Sequence, residues 1–265
     1  MGEFVGERAP RPVSGLGYQP VGIDHYGAAI EGAGSGGVSY IKLAAYARQN
    51  TVDRPFGVVN DYIANALGRA SGVPVPPGEL VKLGRTTWGF VTLGFGEDGR
   101  RPPPADLEAL ATEHPWESTG VVVFDQWILN TDRHDENVAY LDKMGIAVFD
   151  HDCALLGFNP PDPAVALASE RASRVRGHQL AASLRTAKYL ESWVNRIKSV
   201  MPLEIRRAVG TCVDAGLLSK SLGDQLNEFI LFRQASIQSY IDDSKEDFRQ
   251  VTEWVMFDGE VLNGQ

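Results

Sequence analysis

A helix, a polar turn and a hairpin are encoded in residues 121–157, which read VVVFDQWILNTDRHDENVAYLDKMGIAVFDHDCALLG. The apolar run at the start is typical of a buried helix, and it ends at a turn that holds Asp132 and Asn137. Two short apolar segments follow, 138–141 and 146–149, and the second delivers Asp150 at its end. Because a hairpin returns the chain to its starting point, we expect these three side chains to meet at the rim of a small sheet.

An Asp, an Asn and a second Asp in this arrangement favour phosphoryl transfer. That reaction needs positioning, charge neutralisation by a metal ion, and a carboxylate that orients the hydroxyl group. Mg²⁺ prefers oxygen ligands, which Asn137 and Asp150 can supply. Asp132 is then the candidate base, and Arg133 the candidate cation that keeps positive charge near the carboxylates or the phosphates. Asp and Asn are also common in turns, so the D-x-x-x-x-N spacing alone is a weak signal.

The run N-T-D-R-H-D-E-N followed by A-V-F-D-H-D resembles the catalytic and metal-binding segments of HipA-like kinases. The N-T-D-R pattern is also similar to type II phosphatidylinositol 4-kinases, and both groups belong to the protein-kinase-like superfamily. The resemblance implies an α+β, two-lobed fold with a small β-rich lobe and a mostly helical lobe. It also implies ATP and Mg²⁺ as cofactors and a hydroxyl acceptor, most simply on a protein, with a lipid or a small molecule as the open alternative.

Composition excludes several other classes. The chain has 265 residues, 43% of them hydrophobic, and a formal net charge of −9 with a pI of about 5.1. This balance argues against a nucleic-acid partner, which usually meets a basic face. The sequence has no apolar run long enough to span a membrane and no secretory signal pattern. Cys153 and Cys212 suggest a reducing compartment, so we expect a cytoplasmic protein.

A lysine inside an apolar strand is the main candidate of the first hundred residues. Residues 38–45 predict a strand that contains Lys42, and their Y-I-K-L pattern resembles the Y-V-V-K segment of HipA-like kinases. The resemblance assigns Lys42 to the ATP phosphates and to catalysis. The alternative is a lysine of an edge strand whose charged end reaches solvent.

Two glycine clusters could cover the phosphates. Residues 14–19 resemble the S-G-x-Q-P loop of HipA relatives, which makes Ser14, Gly15 and Gly17 cofactor-binding candidates. Residues 34–37 precede the lysine strand directly and are more typical of a hairpin turn.

Residues 58–70 have the apolar spacing of a helix, and Gly72 and Pro74 mark its end. HipA-like kinases carry N-E near the start of this helix, and Asn60-Asp61 stands at that place here. The resemblance therefore makes Asp61 a cofactor-site residue that pairs with Lys42. A solvated helix charge is the alternative.

Residues 79–83 and 87–93 predict two further strands, and the resemblance sets Thr92 and Leu93 against the adenine ring. We therefore divide the chain into domains 1–94 and 95–265. In the second domain, helical spacing is found over 106–112, 119–129, 180–197, 203–215 and 222–241.

Two other functions remain open from the residues alone. The shorter Asp61 and the poor glycine loop are compatible with a non-catalytic nucleotide-binding or interaction module. A metal-dependent hydrolase could use the His and Asp side chains of the two H-D pairs, which are His134, Asp135, His151 and Asp152. Their spacing matches no H-E-x-x-H site.

Overall fold

The protein is described here by a computed structural model, in which a small sheet comes first along the chain and is followed by a helical body that contains the polar turn and the hairpin. The structure describes residues 19–28, 39–82, 87–93, 103–141, 145–255 and 261–263. For 19–28, 39–47, 141, 255 and 261–263 it describes only the course of the backbone.

The sheet has four antiparallel strands in the order β1-β2-β4-β3. Their bounds are β1 (Gln19–Ala28), β2 (Ser39–Gln49), β3 (Gly78–Lys82) and β4 (Trp88–Leu93). The predicted strands are confirmed, but β2 continues four residues beyond the predicted end because its second half pairs with β4, from Ala45 opposite Leu93 to Gln49 opposite Gly89. The extension brings Arg48 into the strand.

One helix, α1 (Gly57–Ser71), packs on this sheet, and its predicted position is confirmed. It ends where Gly72 adopts a left-handed conformation with φ of 81°, which glycine tolerates without a steric penalty. Val59, Ile63 and Leu67 are fully buried on its inner face. The helix therefore fixes Asp61 to the inside of the molecule.

The long helix before the turn is α3 (Pro115–Ile128), which follows α2 (Leu107–Glu113). It begins four residues before the predicted start, since Pro115 is suited to the first helical position. Every residue from Ser118 to the end is buried. Trp127 is fully buried, and its indole Nε1 donates a hydrogen bond to the Ile230 carbonyl at 3.1 Å. The helix is the central axis of the body.

The hairpin consists of β5 (Val138–Leu141) and β6 (Gly145–Val148), which pair in antiparallel register. A 3₁₀ turn, Asp135–Asn137, joins the polar turn to β5. Both strands were predicted. The predicted bounds of the second strand, 146–149, lie one residue later than the observed ones. The chain geometry expected around Asp132, Asn137 and Asp150 is therefore present.

Five helices complete the body, namely α4 (Pro163–Glu170), α5 (Gln179–Ser183), α6 (Leu190–Ser199), α7 (Pro202–Asp214) and α8 (Lys220–Asp242). The continuous helix predicted over 180–197 is wrong, since α5 ends at Ser183 and α6 begins at Leu190. Leu184 is extended, with ψ of 132°, and Thr186 accepts a hydrogen bond from the Lys188 amide. Leu184 and Ala187 are nevertheless buried. The apolar spacing in this segment therefore indicates which residues are buried, although the segment between the two helices is not helical.

A short hairpin of β7 (Glu253–Val255) and β8 (Val261–Asn263) follows α8, and Trp254 packs edge-on against Phe248. Within the described part of the chain, no helix combines the length and the apolar character that crossing a bilayer requires.

Candidate active site

The polar turn leaves the Asp132 carboxylate exposed while it fixes the backbone beneath it. Helix α3 stops because Leu129 adopts a left-handed conformation, with φ of 52°. The Asn130 side chain donates to Asp125 Oδ1 at 2.9 Å and accepts from the Asp132 amide at 3.4 Å. Asp132 is therefore an exposed acid on an immobilised turn, as a group that meets a substrate needs to be.

Arg133 is turned to the inside, directly below the turn. Its side chain is fully buried and makes a two-nitrogen contact with Asp125, at 2.9 Å and 3.1 Å. Its Nη1 atom donates to two backbone carbonyls, those of Asn137 at 2.9 Å and Phe149 at 2.8 Å. One guanidinium thus ties the polar turn to the hairpin. The sequence predicted a positive charge near the carboxylates or the phosphates, and in this structure the Arg133 guanidinium pairs with the Asp125 carboxylate.

Asp125 completes this anchor. His178 contacts Asp125 Oδ2 at 3.0 Å from the other side. Burial raises the pKa of Asp125, but the Arg133 guanidinium and the His178 hydrogen bond outweigh burial and hold the pKa below its usual range. We therefore treat Asp125 as a permanently charged structural partner of Arg133.

Asn137 and Asp150 meet where the hairpin begins and ends. Val138 pairs with Val148, and the Phe149 amide donates to the Asn137 carbonyl at 3.2 Å, so Asn137 and Asp150 leave the hairpin side by side. The Asn137 amide nitrogen donates to the Asp132 carbonyl at 3.0 Å, so Oδ1 is the ligand atom that this side chain can offer. An amide oxygen beside a carboxylate fits a hard cation such as Mg²⁺.

Asp150 adopts an unusual backbone conformation, with φ of 58°. Left-handed conformations are uncommon for residues other than glycine and often mark functional sites. Its carboxylate is nearly buried and pairs with the Arg48 guanidinium.

Arg48, near the end of β2, reaches this site with its side chain. Its side chain is only 5% exposed, and it contacts carboxylates from two parts of the chain. Nε pairs with Asp61 on α1, Nη2 pairs with Asp150, and Nη1 donates to Asp152 Oδ2 at 2.7 Å. The carboxylate that the sequence assigned to Lys42 is therefore engaged by Arg48.

Arg54 brings a second positive charge to the same edge. It pairs with Asp152 and lies over the Phe158 ring, with 4.8 Å from its guanidinium carbon to the ring centroid. Its side chain is 22% exposed, so this contact is nearer to solvent than that of Arg48.

His151 lies behind the acidic residues as a buried, neutral ring. Its amide donates to Asp61 Oδ1 at 2.7 Å, and its ring packs edge-on against Phe124. Burial and then the nearby Arg133 charge lower its pKa to about 3. A packing role in the metal loop, as predicted, agrees with this environment.

The hydrolase hypothesis gains no support from the described residues. In the part of the chain that the structure covers, the one group of three or more such residues with ligand atoms within 4.8 Å of one another is Asp132, Asp152 and Cys153, which includes Asp152 but neither His134 nor His151. Burial and then the neighbouring Asp132 carboxylate raise the pKa of the Cys153 thiol to about 12.

The remaining candidates are placed as follows. Thr92 is buried, and its hydroxyl donates to the carbonyls of Pro76 and Pro77 at 3.3 Å and 3.1 Å, whereas Leu93 is 39% exposed at the end of β4. Their contact with adenine stays a prediction. Ser14, Gly15 and Gly17 lie outside the described residues, and so do the second glycine cluster, 34–37, and the side chain of Lys42.

Sequence reasoning missed four polar residues of the site, namely Arg48, Arg54, Asp125 and His178. The only local signal was for Asp125, which lies one helical turn before the end of an apolar helix, where a buried charge requires a partner. Arg48 contacts Asp152 across 104 residues of sequence, a separation that no local pattern reports.

The sequence matches no protein-family model and no curated protein sequence. The structure is similar to the proinflammatory kinase CtkA of Helicobacter pylori, with a TM-score of 0.53 and 14% identity over 83% of this chain and 94% of that one. It also aligns with HipA of Shewanella oneidensis MR-1, solved with HipB and operator DNA, with a TM-score of 0.41 and 12% identity over 93% of this chain and 68% of that one. The CtkA match shows a kinase-like fold, and the predicted likeness to HipA-like kinases is confirmed at the level of the fold.

Proposed function

We propose that this chain is an ATP- and Mg²⁺-dependent phosphotransferase that transfers the γ-phosphate to a hydroxyl group, most simply one on a protein. One observation carries the proposal. An exposed Asp132 on a fixed turn stands beside Asn137 and Asp150, within a chain whose fold is kinase-like. A kinase-like fold alone does not imply activity, and these three side chains supply the site-based argument.

The proposed roles follow from exposure and contacts. Asp132 accepts or orients the proton of the acceptor hydroxyl, since its carboxylate faces solvent while its backbone is held. Asn137 and Asp150 would hold Mg²⁺, which when bound neutralises the charge of the phosphates. Arg133 keeps the turn and the hairpin in register through the Asn137 and Phe149 carbonyls.

We further propose that residues 1–94 and 95–265 form the two lobes of a kinase. The first would contribute the sheet, α1 and the nucleotide-facing residues Thr92 and Leu93. The resemblance assigns the phosphate-binding cation to Lys42. Among the β2 side chains that the structure describes, which are those of residues 48 and 49, Arg48 meets both Asp61 and Asp150, and we propose it as a second candidate for this cation.

A non-catalytic nucleotide-binding module is the second candidate. It is favoured by the ion pair between Arg48 and Asp150, which engages one of the two proposed metal ligands. Such a module would bind a nucleotide without transferring phosphate.

Two measurements test the proposal. The melting temperature is first recorded with ATP, with MgCl₂ and with both, since a ligand of the folded state stabilises it by about 2.7 kcal/mol at a hundredfold excess over Kd. Transfer from γ-labelled ATP to the chain itself and to a generic protein acceptor is then followed. A shift with transfer supports the kinase, a shift without transfer supports the binding module, and no shift at millimolar Mg-ATP overturns both.

A further inference from the structure

Arg48 binds three carboxylates with one guanidinium. Each of its side-chain nitrogens has a different acidic partner: Asp61 on α1, and Asp150 and Asp152 after β6. The side chain is 5% exposed, so water screens these contacts little. The cluster joins the helix on the small sheet to the segment that carries a proposed metal ligand.

The contact with Asp150 is the one that matters for a cation. Asp150 is nearly buried, and its Oδ1 atom faces Arg48 Nη2. A divalent ion that uses this carboxylate must share it with the guanidinium or displace it, because both are positive and approach the same group. Arg48 is therefore in competition with any metal bound there.

Three carboxylates of this cluster surround two guanidinium groups. Among the charged side chains that the structure describes there, Asp61, Asp150 and Asp152 contact Arg48 and Arg54. Arg54 pairs with Asp152 and not with Asp150, so it cannot replace Arg48 at the proposed ligand. If Arg48 moves to another anion, a carboxylate with high cation affinity is left.

Resting on the proposed function, we propose that Arg48 is a positioning residue that guards the cation site and couples it to the nucleotide. Without a nucleotide, its guanidinium holds Asp150 and weakens divalent-cation binding. A planar guanidinium pairs with phosphate oxygens as well as with carboxylates, and a nucleotide brings several phosphate oxygens, so in this proposal the nucleotide takes Arg48 over and releases Asp150. Cation and nucleotide then increase each other's affinity by the same factor, as linkage requires.

The test measures Mg²⁺ and ATP affinities by titration calorimetry, each ligand alone and in the presence of the other, with EDTA in the arm without metal. For the wild-type chain we expect weak binding of MgCl₂ alone and roughly tenfold or tighter binding with ATP, within the usual range of coupling. Arg48→Met should bind MgCl₂ alone more tightly than wild type and should lose the coupling.

Arg54→Met is the matched control, since it removes an arginine that contacts Asp152 but leaves the Arg48–Asp150 contact in place. It should keep the wild-type coupling.

Two further variants serve if Arg48→Met does not fold. Combining Arg48→Met with Asp61→Asn removes the charge of the buried carboxylate that would otherwise be left without its partner. Arg48→Lys keeps the positive charge but cannot contact three carboxylates at once. The double variant and Arg48→Lys should each bind MgCl₂ alone more tightly than wild type.

The two arms separate this inference from the proposed function. If no variant binds ATP but Arg48→Met still binds Mg²⁺ more tightly, the proposed function fails and the competition at Asp150 stands. Equal affinity of wild type and Arg48→Met for MgCl₂ alone overturns the guarding role. Full coupling in the Arg48→Met variant overturns the link to the nucleotide.

Discussion

Two buried arginines organise the molecule around the turn, and their partners differ. Arg133 contacts one carboxylate and two backbone carbonyls, and those partners lie within residues 125–149. Arg48 contacts three carboxylates, two of them more than 100 residues away in sequence. The first cluster is built on neighbouring chain segments, and the second joins distant ones.

The partners determine what each cluster can do. The partners of Arg133 are the Asp125 carboxylate and two backbone carbonyls, and none of these groups is a proposed metal ligand, so cation binding at the site gives that cluster no reason to rearrange. Carboxylates around Arg48 are good ligands for divalent cations, and Arg48 itself is a good partner for phosphate. The comparison indicates that Arg133 is an anchor and that Arg48 is an exchangeable contact.

The largest expected effect is a loss of stability in Arg133→Met. The substitution leaves Asp125 charged and buried without its main partner, and breaking such a pair typically costs about 3–5 kcal/mol. Urea unfolding measures the free energy of unfolding. Arg207→Met is the control, because the Arg207 side chain is 66% exposed and its pair with Glu204 should contribute less than about 1 kcal/mol. Equal losses in the two variants would contradict the anchoring role.

Asp132 and Asp150 should separate binding from transfer. Asp132→Ala should keep the stabilisation by Mg-ATP yet lose turnover by roughly a hundredfold or more, the contribution of a general base. Asp150→Ala should lose Mg²⁺-dependent nucleotide binding as well as turnover. Thermal shift and phosphate transfer are measured on both, with Asp135→Ala as a control from the same turn, where the carboxylate is half-exposed. If Asp132→Ala lost Mg-ATP binding and Asp150→Ala kept it, the two roles would have to be exchanged. Full activity of both variants would show that these residues do not form the active site.

The sequence predicted the parts of the site that are close together along the chain. The turn, the hairpin and the position of Asp150 follow from apolar spacing and turn residues over about 35 positions. The direction of Arg133 did not follow, since a residue after a turn can point to solvent or to the core. The contact of Arg48 was missed because β2 was predicted to end at residue 45, and pairing with β4 extends it.

The two basic residues of β2 give a smaller, comparative effect. Lys42 lies six residues before Arg48, a Cα separation of about 20 Å in an extended strand, so one of them is expected to serve phosphates above Asp150. We expect Arg48→Met to lower Mg-ATP affinity by about tenfold, the lower range for a charged hydrogen bond, and more than Lys42→Met does. Calorimetry decides between them. A larger loss in Lys42→Met would restore the assignment made by resemblance.

The smallest expected effect concerns His151, which lies between the two arginine clusters. Burial, then Arg133, and more weakly Arg48 lower its pKa to about 3 in the folded chain, against an ordinary value of 6.5. The imidazole therefore binds protons in the unfolded chain, but not in the folded chain, between these two pH values. Its contribution to the free energy of unfolding is fully present above about pH 6.5 and is lost as the pH falls toward 3. The slope from this group is at most about 1.4 kcal/mol per pH unit.

His151→Phe tests this dependence, since a phenyl ring can keep the edge-on contact with Phe124 and does not titrate. Among the described residues His151 Nε2 has no hydrogen-bond partner, so little is lost with the ring nitrogen. At about pH 8 we expect the variant to be less stable by about 1–3 kcal/mol, the usual cost of placing a larger ring in a packed core. Urea unfolding is then measured between about pH 8 and 5. As the pH falls, the free energy of unfolding of wild type should decrease relative to that of the variant, because only wild type has an imidazole that is neutral when folded and becomes protonated when unfolded. Parallel profiles would mean that His151 is not held neutral between the two clusters.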